Sequence, residues 1–318
     1  MEPLKLIPHF TDYLWGGRKL VTDFGKDCDY DKVAESWELS CHKDGPCKIA
    51  NGEFAGLTLQ EYIDKNGKEV LGSDCEKFDN FPILIKLIDA KDNLSVQVHP
   101  DNNYALRVEG EYGKTEMWYI VDCEEDSSLL YGFKEPITKD EFKRRIEDNT
   151  LLEVTNAVKV KKGDCFFIEA GTLHAIGKGI LIAEIQQNSN TTYRIYDYAR
   201  VGADGKPREL HIDKALDVTE LNLPTPPKQP EAQNFDGYTV TPLASCDYFT
   251  VRKLDINSCA CFVADSKSFH SVMILSDSAV IEYDNGRLDV KKGETVLIPA
   301  GMGKYTINGN CEAILTTV

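Results

Sequence analysis

The amino-acid sequence predicts a mainly β protein with a few short helices, built from two related halves. Short runs of β-branched and aromatic residues, separated by Gly, Asn and Asp, dominate residues 81–133, 154–200 and 238–318. Stretches with helical periodicity are short by comparison. A repeated segment then indicates that one arrangement of strands occurs twice in the chain.

The repeat consists of two glycine-punctuated segments. VKKGDCFFIEAGTLHAIG begins at Val160 and VKKGETVLIPAGMGKYTI begins at Val290, an offset of 130 residues. Each copy contains a glycine turn, a strand and a second turn at Ala-Gly that leads into another strand. The copies differ at His174, which aligns with Lys304. An imidazole can bind a metal ion at that position. We therefore expect the functional site in the N-terminal copy alone.

Helical patterns and a proline-rich stretch predict how the halves are organised. Helices are predicted at 58–67, 138–150 and 211–219, the second opening with the capping-box pair Thr138 and Glu141. Residues 222–237 contain four prolines without apolar periodicity, which is typical of a linker or of an extended crossing segment. The predicted units are an N-terminal catalytic domain at 1–221, the linker at 222–237 and a C-terminal domain without metal ligands at 238–318.

Composition narrows the possible partners. The net charge of -16 argues against nucleic acid or an anionic membrane, because the protein repels polyanions. A small anionic substrate requires cations gathered locally. The ten cysteines form no CxxC pair, and no secretory leader or apolar span is present, so we expect free, mostly packed thiols and a cytoplasmic location. No pattern indicates an oligomeric state.

Several motifs resemble a known enzyme family. Gly163-x5-Glu169-Ala170-Gly171-x2-His174 resembles the second motif of the cupin β-barrels, and QVHP followed by GKTEMW resembles a variant of the first. The wider chain is similar to type I phosphomannose isomerases of the short bacterial branch, through YLWGG, AESWELS, FPILIKLIDA, LSVQVHPD, YGKTEMWY, GTLHAIG and AEIQQNSNTTYRIYDY. The resemblance implies two cupin-type jelly-roll β-barrels and a zinc-dependent interconversion of mannose 6-phosphate and fructose 6-phosphate through an enediol.

The resemblance also implies a metal site formed by Gln97, His99, Glu116 and His174. In the extended stretch LSVQVHPD, Gln97 and His99 share one face of the strand. Glu116 shares a face with large apolar residues in TEMWYIVD, and a buried carboxylate is costly unless it is paired or binds a metal. Imidazole nitrogen and carboxylate oxygen suit Zn²⁺, expected at one ion per chain, although manganese or cobalt can use the same ligands.

Three cations could hold a phosphate inside this acidic protein. Lys86 interrupts the apolar strand FPILIKLIDA, so its ammonium either extends to solvent or faces a cavity with an anionic partner. Lys114 lies two residues before Glu116 and is expected on the same face. Arg194, flanked by tyrosines, could hold a phosphate or a sugar hydroxyl, or it could pair with Asp197.

Glu184 is the candidate general base. It lies in the apolar strand ILIAEIQQ, where burial is expected to raise its pKa toward a range useful for proton transfer. Its alternative role is to orient Arg194 or a lysine. The resemblance implies a catalytic part for Arg194, which we expect to stabilise the enediolate because a guanidinium is too basic to exchange protons. Lys114 is expected to be the third catalytic residue, with Glu184 and Arg194.

Other segments carry weaker expectations. YLWGG is expected to form a turn beside the site, or to place Trp15 in the core. AESWELS is expected to supply Ser36 or Glu38 to the walls of the site, and residues 134–150 to border it. The remaining histidines are expected to be ordinary hydrogen-bonded side chains: His9, His42, His211 and His270.

Two other function classes stay open at this stage. Two histidines and a carboxylate are also typical of non-haem iron oxygenases. Gln97 and the three cations favour a sugar phosphate instead, because such oxygenases usually act on apolar substrates. A sugar-phosphate-binding protein without turnover is the second alternative, and the intact ligand set with Glu184 argues against it.

Overall fold

The computed structural model describes residues 1–202, 205–226, 231–284 and 286–318. Residues 227–230 of the predicted linker therefore lie outside the described residues. The strands up to residue 200 are β1 (Leu4–Ile7), β2 (His9–Thr11), β3 (Glu35–Leu39), β4 (Lys48–Ile49), β5 (Ile83–Ala90), β6 (Val96–Val98), β7 (Glu116–Cys123), β8 (Ser128–Phe133), β9 (Thr155–Lys159), β10 (Cys165–Ile168), β11 (His174–Ala175), β12 (Ile180–Gln187) and β13 (Tyr193–Tyr196). The later strands are β14 (Gln233–Phe235), β15 (Tyr238–Ser245), β16 (Thr250–Ile256), β17 (Cys259–Ala264), β18 (His270–Ile274), β19 (Ser278–Tyr283), β20 (Gly286–Lys291), β21 (Thr295–Ile298), β22 (Gly303–Gly309) and β23 (Cys311–Thr317).

The helices are α1 (Lys19–Thr22), α2 (Leu59–Asn66), α3 (Asn102–Val108), α4 (Lys139–Glu147), α5 (Leu151–Val154) and α6 (Ile212–Val218), with 3₁₀ turns at Gly52–Phe54, Lys68–Leu71 and Ser73–Cys75. The three helices predicted from the sequence are confirmed as α2, α4 and α6. The Thr138 hydroxyl caps α4 by accepting a hydrogen bond from the Glu141 N–H at 3.1 Å. No helix of the described residues is long and apolar enough to span a membrane.

The strands confirm a mainly β protein, and they form four sheets. Two lie in the N-terminal half, with the orders β10-β7-β12-β5-β3-β2 and β13-β6-β11-β8-β9. The other two have the orders β14-β15-β16-β23-β18-β21-β1-β4 and β17-β22-β19-β20. The order β10-β7-β12-β5-β3-β2 recurs as β21-β18-β23-β16-β15-β14, and β6-β11-β8-β9 recurs as β17-β22-β19-β20. The sequence repeat is therefore also a repeat of strand topology.

The glycine turns of the repeat have the backbone conformation that the sequence predicts. Gly163 and Gly293 have φ angles of 92° and 83°, and Gly171 and Gly301 have 90° and 76°. These positive φ values are readily adopted by glycine, which has no Cβ atom. Each pair lies at matching places on either side of β10 and β21, which explains why both copies retain glycine there.

The two halves are joined by more than the chain connection. Strand β1 pairs with β21, with Leu4 opposite Leu297, so the first strand extends a sheet of the C-terminal half. Lys26 and Glu38 form a buried ion pair at 2.5 Å, and Glu38 also accepts a hydrogen bond from Thr295 at 3.0 Å. One apolar core runs through both halves, including Leu4 and Phe249.

Candidate metal centre and active site

The candidate site lies between the two sheets of the N-terminal half. In the five-stranded sheet, Gln97 of β6 is paired with His174 of β11 on one side and with Arg194 of β13 on the other. In the six-stranded sheet, Glu184 of β12 is paired with Lys86 of β5 and with Trp118 of β7. A cavity of about 320 Å³ lies between these two rows of side chains.

Three potential metal ligands converge directly behind the cavity residues Gln97 and Lys114. His99, Glu116 and His174 are at most 1% exposed, and their ligand atoms lie within 4.8 Å of one another. The Nε2 atom of His99 is 3.7 Å from Glu116 Oε2, and the Nε2 atom of His174 is 3.5 Å from Glu116 Oε1. The three residues come from different strands or strand ends, so only the folded sheets bring them together.

Backbone carbonyls fix the orientation of both imidazoles. His99 Nδ1 donates to the Thr191 carbonyl at 2.9 Å, and His174 Nδ1 donates to the Thr172 carbonyl at 2.8 Å. Each ring therefore directs an Nε2 lone pair toward Glu116. Burial, followed by the positive charge of Lys114, lowers the pKa of His99 well below its ordinary value. Burial lowers the pKa of His174 to about 4. Both imidazoles are thus in the neutral form that binds metal ions.

Glu116 completes a donor set that fits a divalent cation. Burial, reinforced by the charge of Glu184, raises the pKa of Glu116 to about 7. Its Oε1 atom is buried without a hydrogen-bond partner among the described residues. A cation at this point would satisfy that oxygen and favour the carboxylate form. Two neutral nitrogens and one oxygen with free lone pairs are the donors found in catalytic sites of divalent metals.

Gln97 reaches the same cluster from the neighbouring strand. Its amide Nε2 lies 3.4 Å from His174 Nε2, and its Oε1 accepts a hydrogen bond from the Ser95 hydroxyl at 3.4 Å. Turning the amide over would direct Oε1 toward the imidazole lone pairs. Its role as a metal ligand stays a prediction.

Lys86 and Lys114 face the cavity. Lys86 is 4% exposed, and its ammonium lies 3.4 Å from Glu35 and 3.7 Å from Glu184. Of the two interpretations of Lys86, the structure therefore shows the cavity-facing one. Lys114 Nζ lies 2.7 Å from Glu116 Oε2 and 3.8 Å from Glu184 Oε1. Burial alone would lower the pKa of Lys86, but the surrounding carboxylates, Glu35 first, raise it above its ordinary value.

The expectation that Glu184 has a raised pKa is wrong. Burial does favour its neutral form, but Lys114, Lys86 and the hydrogen bond from Trp118 outweigh burial and lower the pKa of Glu184. Trp118 Nε1 donates to Glu184 Oε2 at 2.9 Å, whereas Oε1 has no hydrogen bond among the described residues. Glu184 is therefore an ionised carboxylate with one oxygen free at the cavity wall.

The structure does not contain the predicted alternative of an Arg194–Asp197 bridge. Asp197 instead binds Arg208, at 2.8 Å and 2.6 Å, together with Arg200. Arg194 donates to the Glu209 carbonyl at 2.9 Å, and its Nε is buried without a hydrogen bond among the described residues. Both Arg194 and Arg208 line the cavity.

Sequence reasoning missed Arg208 and Glu35 as cavity residues. Arg208 lies in the polar stretch GKPRELH, which carries no periodicity that could have marked it. Alternation along β3 places Glu35 on the same face as Trp37 and on the face opposite Ser36 and Glu38, so the pattern could have identified it. The prediction of Ser36 or Glu38 in the pocket walls is wrong: Ser36 donates to Glu38 at 2.6 Å, and Glu38 faces the junction with the C-terminal half.

Two segments expected beside the site, YLWGG and residues 134–150, lie in different places. Trp15 of YLWGG packs in an apolar core cluster and also lines the cavity, so it combines the two positions expected for it. Residues 134–150 do not border the cavity, which is a further correction. Phe142 of α4 packs instead into an apolar cluster with Val96 and Val98, on the opposite face of β6 from Gln97. The helix therefore covers the back of the five-stranded sheet.

Among its described residues, the C-terminal half has no matching set of three metal ligands. Ile168 is paired with Glu116, and the corresponding Ile298 is paired with His270, so His270 occupies the place of Glu116. Its Nδ1 lies 2.7 Å from the hydroxyl of Tyr305. Tyr305 is 2% exposed, whereas Lys304 is exposed. Tyr305 therefore takes the interior position that His174 has in the N-terminal half. The sequence alignment suggested Lys304 for this position.

Comparison with known proteins identifies the family. Residues 4–128 match the model of the phosphomannose isomerase type I catalytic domain, and residues 239–318 match the mannose-6-phosphate isomerase cupin domain. The chain is 40% identical over 316 residues to the probable mannose-6-phosphate isomerase GmuF of Bacillus subtilis, covering 99% of both proteins. The chain belongs to the mannose-6-phosphate isomerase family.

Other members of this family support the assignment. The mannose-6-phosphate isomerase ManA of B. subtilis is 38% identical over 318 residues, covering 99% of this chain and 98% of ManA. The crystal structure of mannose 6-phosphate isomerase from B. subtilis matches with a TM-score of 0.94 at 36% identity, covering 100% of both chains. Phosphomannose isomerase from Salmonella typhimurium shares the fold, with a TM-score of 0.80 at 17% identity.

Proposed function

We propose that the protein is a metal-dependent aldose–ketose isomerase that interconverts mannose 6-phosphate and fructose 6-phosphate. The observation that carries the proposal is the convergence of His99, Glu116 and His174 next to a charged cavity lined by Lys114 and Glu184. Metal-dependent isomerisation of a sugar phosphate uses a Lewis acid, a proton acceptor and a site for an anion, and this region contains side chains for each. No observation favours the iron oxygenase, since the cavity wall is rich in charged groups.

The proposed cofactor is one Zn²⁺ per chain, held by His99, Glu116 and His174 with Gln97 as an added oxygen donor. Neutral imidazoles and a buried carboxylate support zinc, and manganese or cobalt remain chemically compatible with the same ligands. When bound, the ion supplies Lewis-acid polarisation of a sugar oxygen at C1 or C2.

Glu184 is the proposed proton carrier between C2 and C1 of the open-chain sugar. The reaction removes a proton from C2 and returns one to C1 through an enediol, so the base must be ionised and face the substrate. Glu184 Oε1 has no hydrogen bond, and Lys86 and Lys114 lie 3.7 Å and 3.8 Å from it. Lys86 has a raised pKa and stays an ammonium, which leaves the carboxylate as the better acceptor. Lys114 and Arg194 are proposed to stabilise the oxyanion.

The phosphate is proposed to bind at the arginine side of the cavity. Lys86 and Lys114 already lie among the carboxylates Glu35, Glu116 and Glu184, so their charge is largely compensated. The arginine side differs: Arg200 and Arg208 both pair with Asp197, whose charge also acts on Arg194, so three positive charges face one carboxylate among these described side chains. The two lysines then contact sugar oxygens rather than the phosphate.

The division of the chain into domains, the role of the C-terminal unit and the location of the protein are also proposals. We propose two jelly-roll units at 1–221 and 238–318, supported by the repeated strand order and by the second family match at 239–318. Of the proposed linker at 222–237, Gln233–Phe235 form β14 and pair with β15 of the C-terminal unit. We propose that the C-terminal unit is a scaffold. Its interior is filled by apolar side chains including Leu254, Val272 and Ile307. A cytoplasmic location stays a prediction.

Chelation is expected to stop turnover reversibly. Prolonged dialysis against a chelator should abolish formation of fructose 6-phosphate from mannose 6-phosphate, and added Zn²⁺ should restore it. Because metal binds the native state, the metal-free protein should also melt at a lower temperature. Undiminished turnover in protein shown by elemental analysis to be free of metal would contradict the proposal.

Arg208→Gln is expected to raise the KM for mannose 6-phosphate by about tenfold to a hundredfold, because a charge-assisted hydrogen bond contributes about 1.5–3 kcal/mol. Asp197 keeps Arg200 in this variant, so the local fold should persist. Inorganic phosphate should also lose potency as a competitive inhibitor. Arg144→Gln, on the exposed face of α4, is the matched control and should leave both constants unchanged. Equal phosphate inhibition of wild type and Arg208→Gln would place the phosphate elsewhere.

A further inference from the structure

A second cluster of metal-binding side chains lies on the C-terminal half, on the edge strand of its four-stranded sheet. Along β17, Ala260 and Ala264 are buried in the core, while Cys259 and Cys261 point to the opposite face. Their sulfur atoms lie 3.9 Å apart. Cys261 is exposed and Cys259 half-buried, so this pair departs from the expectation of packed thiols.

The spacing of the two cysteines disfavours a disulfide. Residues two apart in a strand have Cα atoms about 6.6–6.8 Å apart. That separation is at the upper limit for a disulfide, whose Cα atoms are usually about 5.5–6 Å apart. A disulfide formed here would be strained and easily reduced, so the pair is expected to persist as two thiols.

The same spacing suits two ligands of one metal ion. Sulfur atoms bound tetrahedrally at about 2.3 Å from a zinc ion are about 3.8 Å apart. The observed separation of 3.9 Å matches that value with almost no movement of either side chain. Burial, then the neighbouring Cys261 and the charge of Glu282, raise the pKa of the Cys259 thiol, so a thiolate here needs a bound cation to compensate its charge.

We propose that Cys259 and Cys261 bind one thiophilic d¹⁰ cation, of the class of Zn²⁺ and Cd²⁺, as a two-sulfur chelate. Binding forms two sulfur–metal bonds and releases the two thiol protons to solvent. No third His, Cys, Asp or Glu of the described residues joins the pair, so the remaining coordination positions stay open to water or small thiols. This site differs chemically from the cavity, whose donors are nitrogen and oxygen, and it adds a second equivalent of soft metal per chain.

Titration of the full-length protein with Cd²⁺, under anaerobic conditions, tests the proposal. Thiolate ligands give an ultraviolet charge-transfer band with Cd²⁺, whereas ligation by His99, Glu116 and His174 does not. We expect wild type whose His99, Glu116 and His174 site has first been loaded with Zn²⁺ to develop the band with one further equivalent of Cd²⁺. Cys259→Ser and Cys261→Ser should each weaken binding by at least about tenfold, the loss typical of disturbing a metal site. Cys28→Ser, which alters a half-buried thiol elsewhere, is the matched control and should retain the band.

Three results would argue against a metal chelate at Cys259 and Cys261. A band that survives in Cys261→Ser, or an equal loss in Cys28→Ser, would overturn the proposal. So would a wild-type protein in which the two thiols are already joined, visible as a mass lower by two hydrogens. Isomerase activity should be unchanged in both variants, because neither cysteine lies near the cavity. Failure of the chelate therefore leaves the proposed isomerase untouched, and failure of the isomerase leaves the chelate testable.

Discussion

Replacement of His174 by alanine is expected to remove the bound metal and to lower turnover by about a thousandfold or more. Loss of Lewis-acid stabilisation costs several kcal/mol, and each 1.4 kcal/mol is a factor of ten in rate. His174 is fully buried on β11, between β6 and β8, so no other side chain can move into its place. Metal content by elemental analysis and turnover of mannose 6-phosphate should fall together.

Two further variants separate loss of metal from loss of fold. His174→Gln keeps most of the side-chain volume and should show the same loss of metal with a smaller change in melting temperature. Lys304→Ala alters the residue that aligns with His174 in the sequence repeat, and Lys304 is exposed. It should retain full metal content and activity. Similar losses in Lys304→Ala and His174→Ala would mean that the two halves had been assigned the wrong roles.

The residues that could be found from the sequence are those that depend on local geometry. Alternation along a strand was enough to place Gln97 on the face opposite Val96 and Val98, and the structure confirms it. Glycine turns could likewise be read from the repeat, because positive φ angles at Gly163 and Gly293 are local requirements. Such inferences need only the chain before and after the residue.

The expectations that failed depended on neighbours from other strands or on a one-residue offset. The pKa of Glu184 is lowered by Lys114, which lies just before the neighbouring strand β7, and by Lys86, which lies opposite Glu184 on β5. No local sequence pattern reports either neighbour. Tyr305 replaces Lys304 inside the C-terminal half because a shift of one residue in a strand exchanges its faces. The expectation of Ser36 or Glu38 at the pocket wall failed for the same reason, because Glu35 lies on the opposite face of β3 and lines the cavity.

Arg208 illustrates a different limit. It reaches the cavity from a segment outside the named strands and helices, after residues 203–204, and its position is set by Asp197. Neither periodicity nor spacing predicts where such a segment returns to the sheets. Charge was nevertheless a useful guide, since an acidic protein that binds a phosphate must gather cations locally. The sequence predicted that requirement, and the fold supplied a cation that the sequence could not identify.

Glu184→Gln is expected to lower kcat by about a hundredfold to ten-thousandfold, the usual contribution of a general base, with little change in KM. A glutamine side chain can still accept the hydrogen bond from Trp118 Nε1, so the side chain should keep its position. It cannot accept a proton from C2. Metal content should be unchanged, because Glu184 is not among the three converging ligands.

The alternative role of Glu184, orientation of a lysine, gives a different pattern of results. Glu35 also lies beside Lys86, at 3.4 Å, but its Oε2 accepts a hydrogen bond from Trp37 at 2.7 Å. The activity of Glu35→Gln therefore shows how much turnover depends on the orientation of Lys86 alone. If Glu184 carries the proton, Glu184→Gln should lose exchange of the C2 hydrogen with deuterated solvent, whereas Glu35→Gln should retain it. If both variants retained exchange and lost similar activity, Glu184 would only position Lys86 and Lys114, and the proton would have to move through another group.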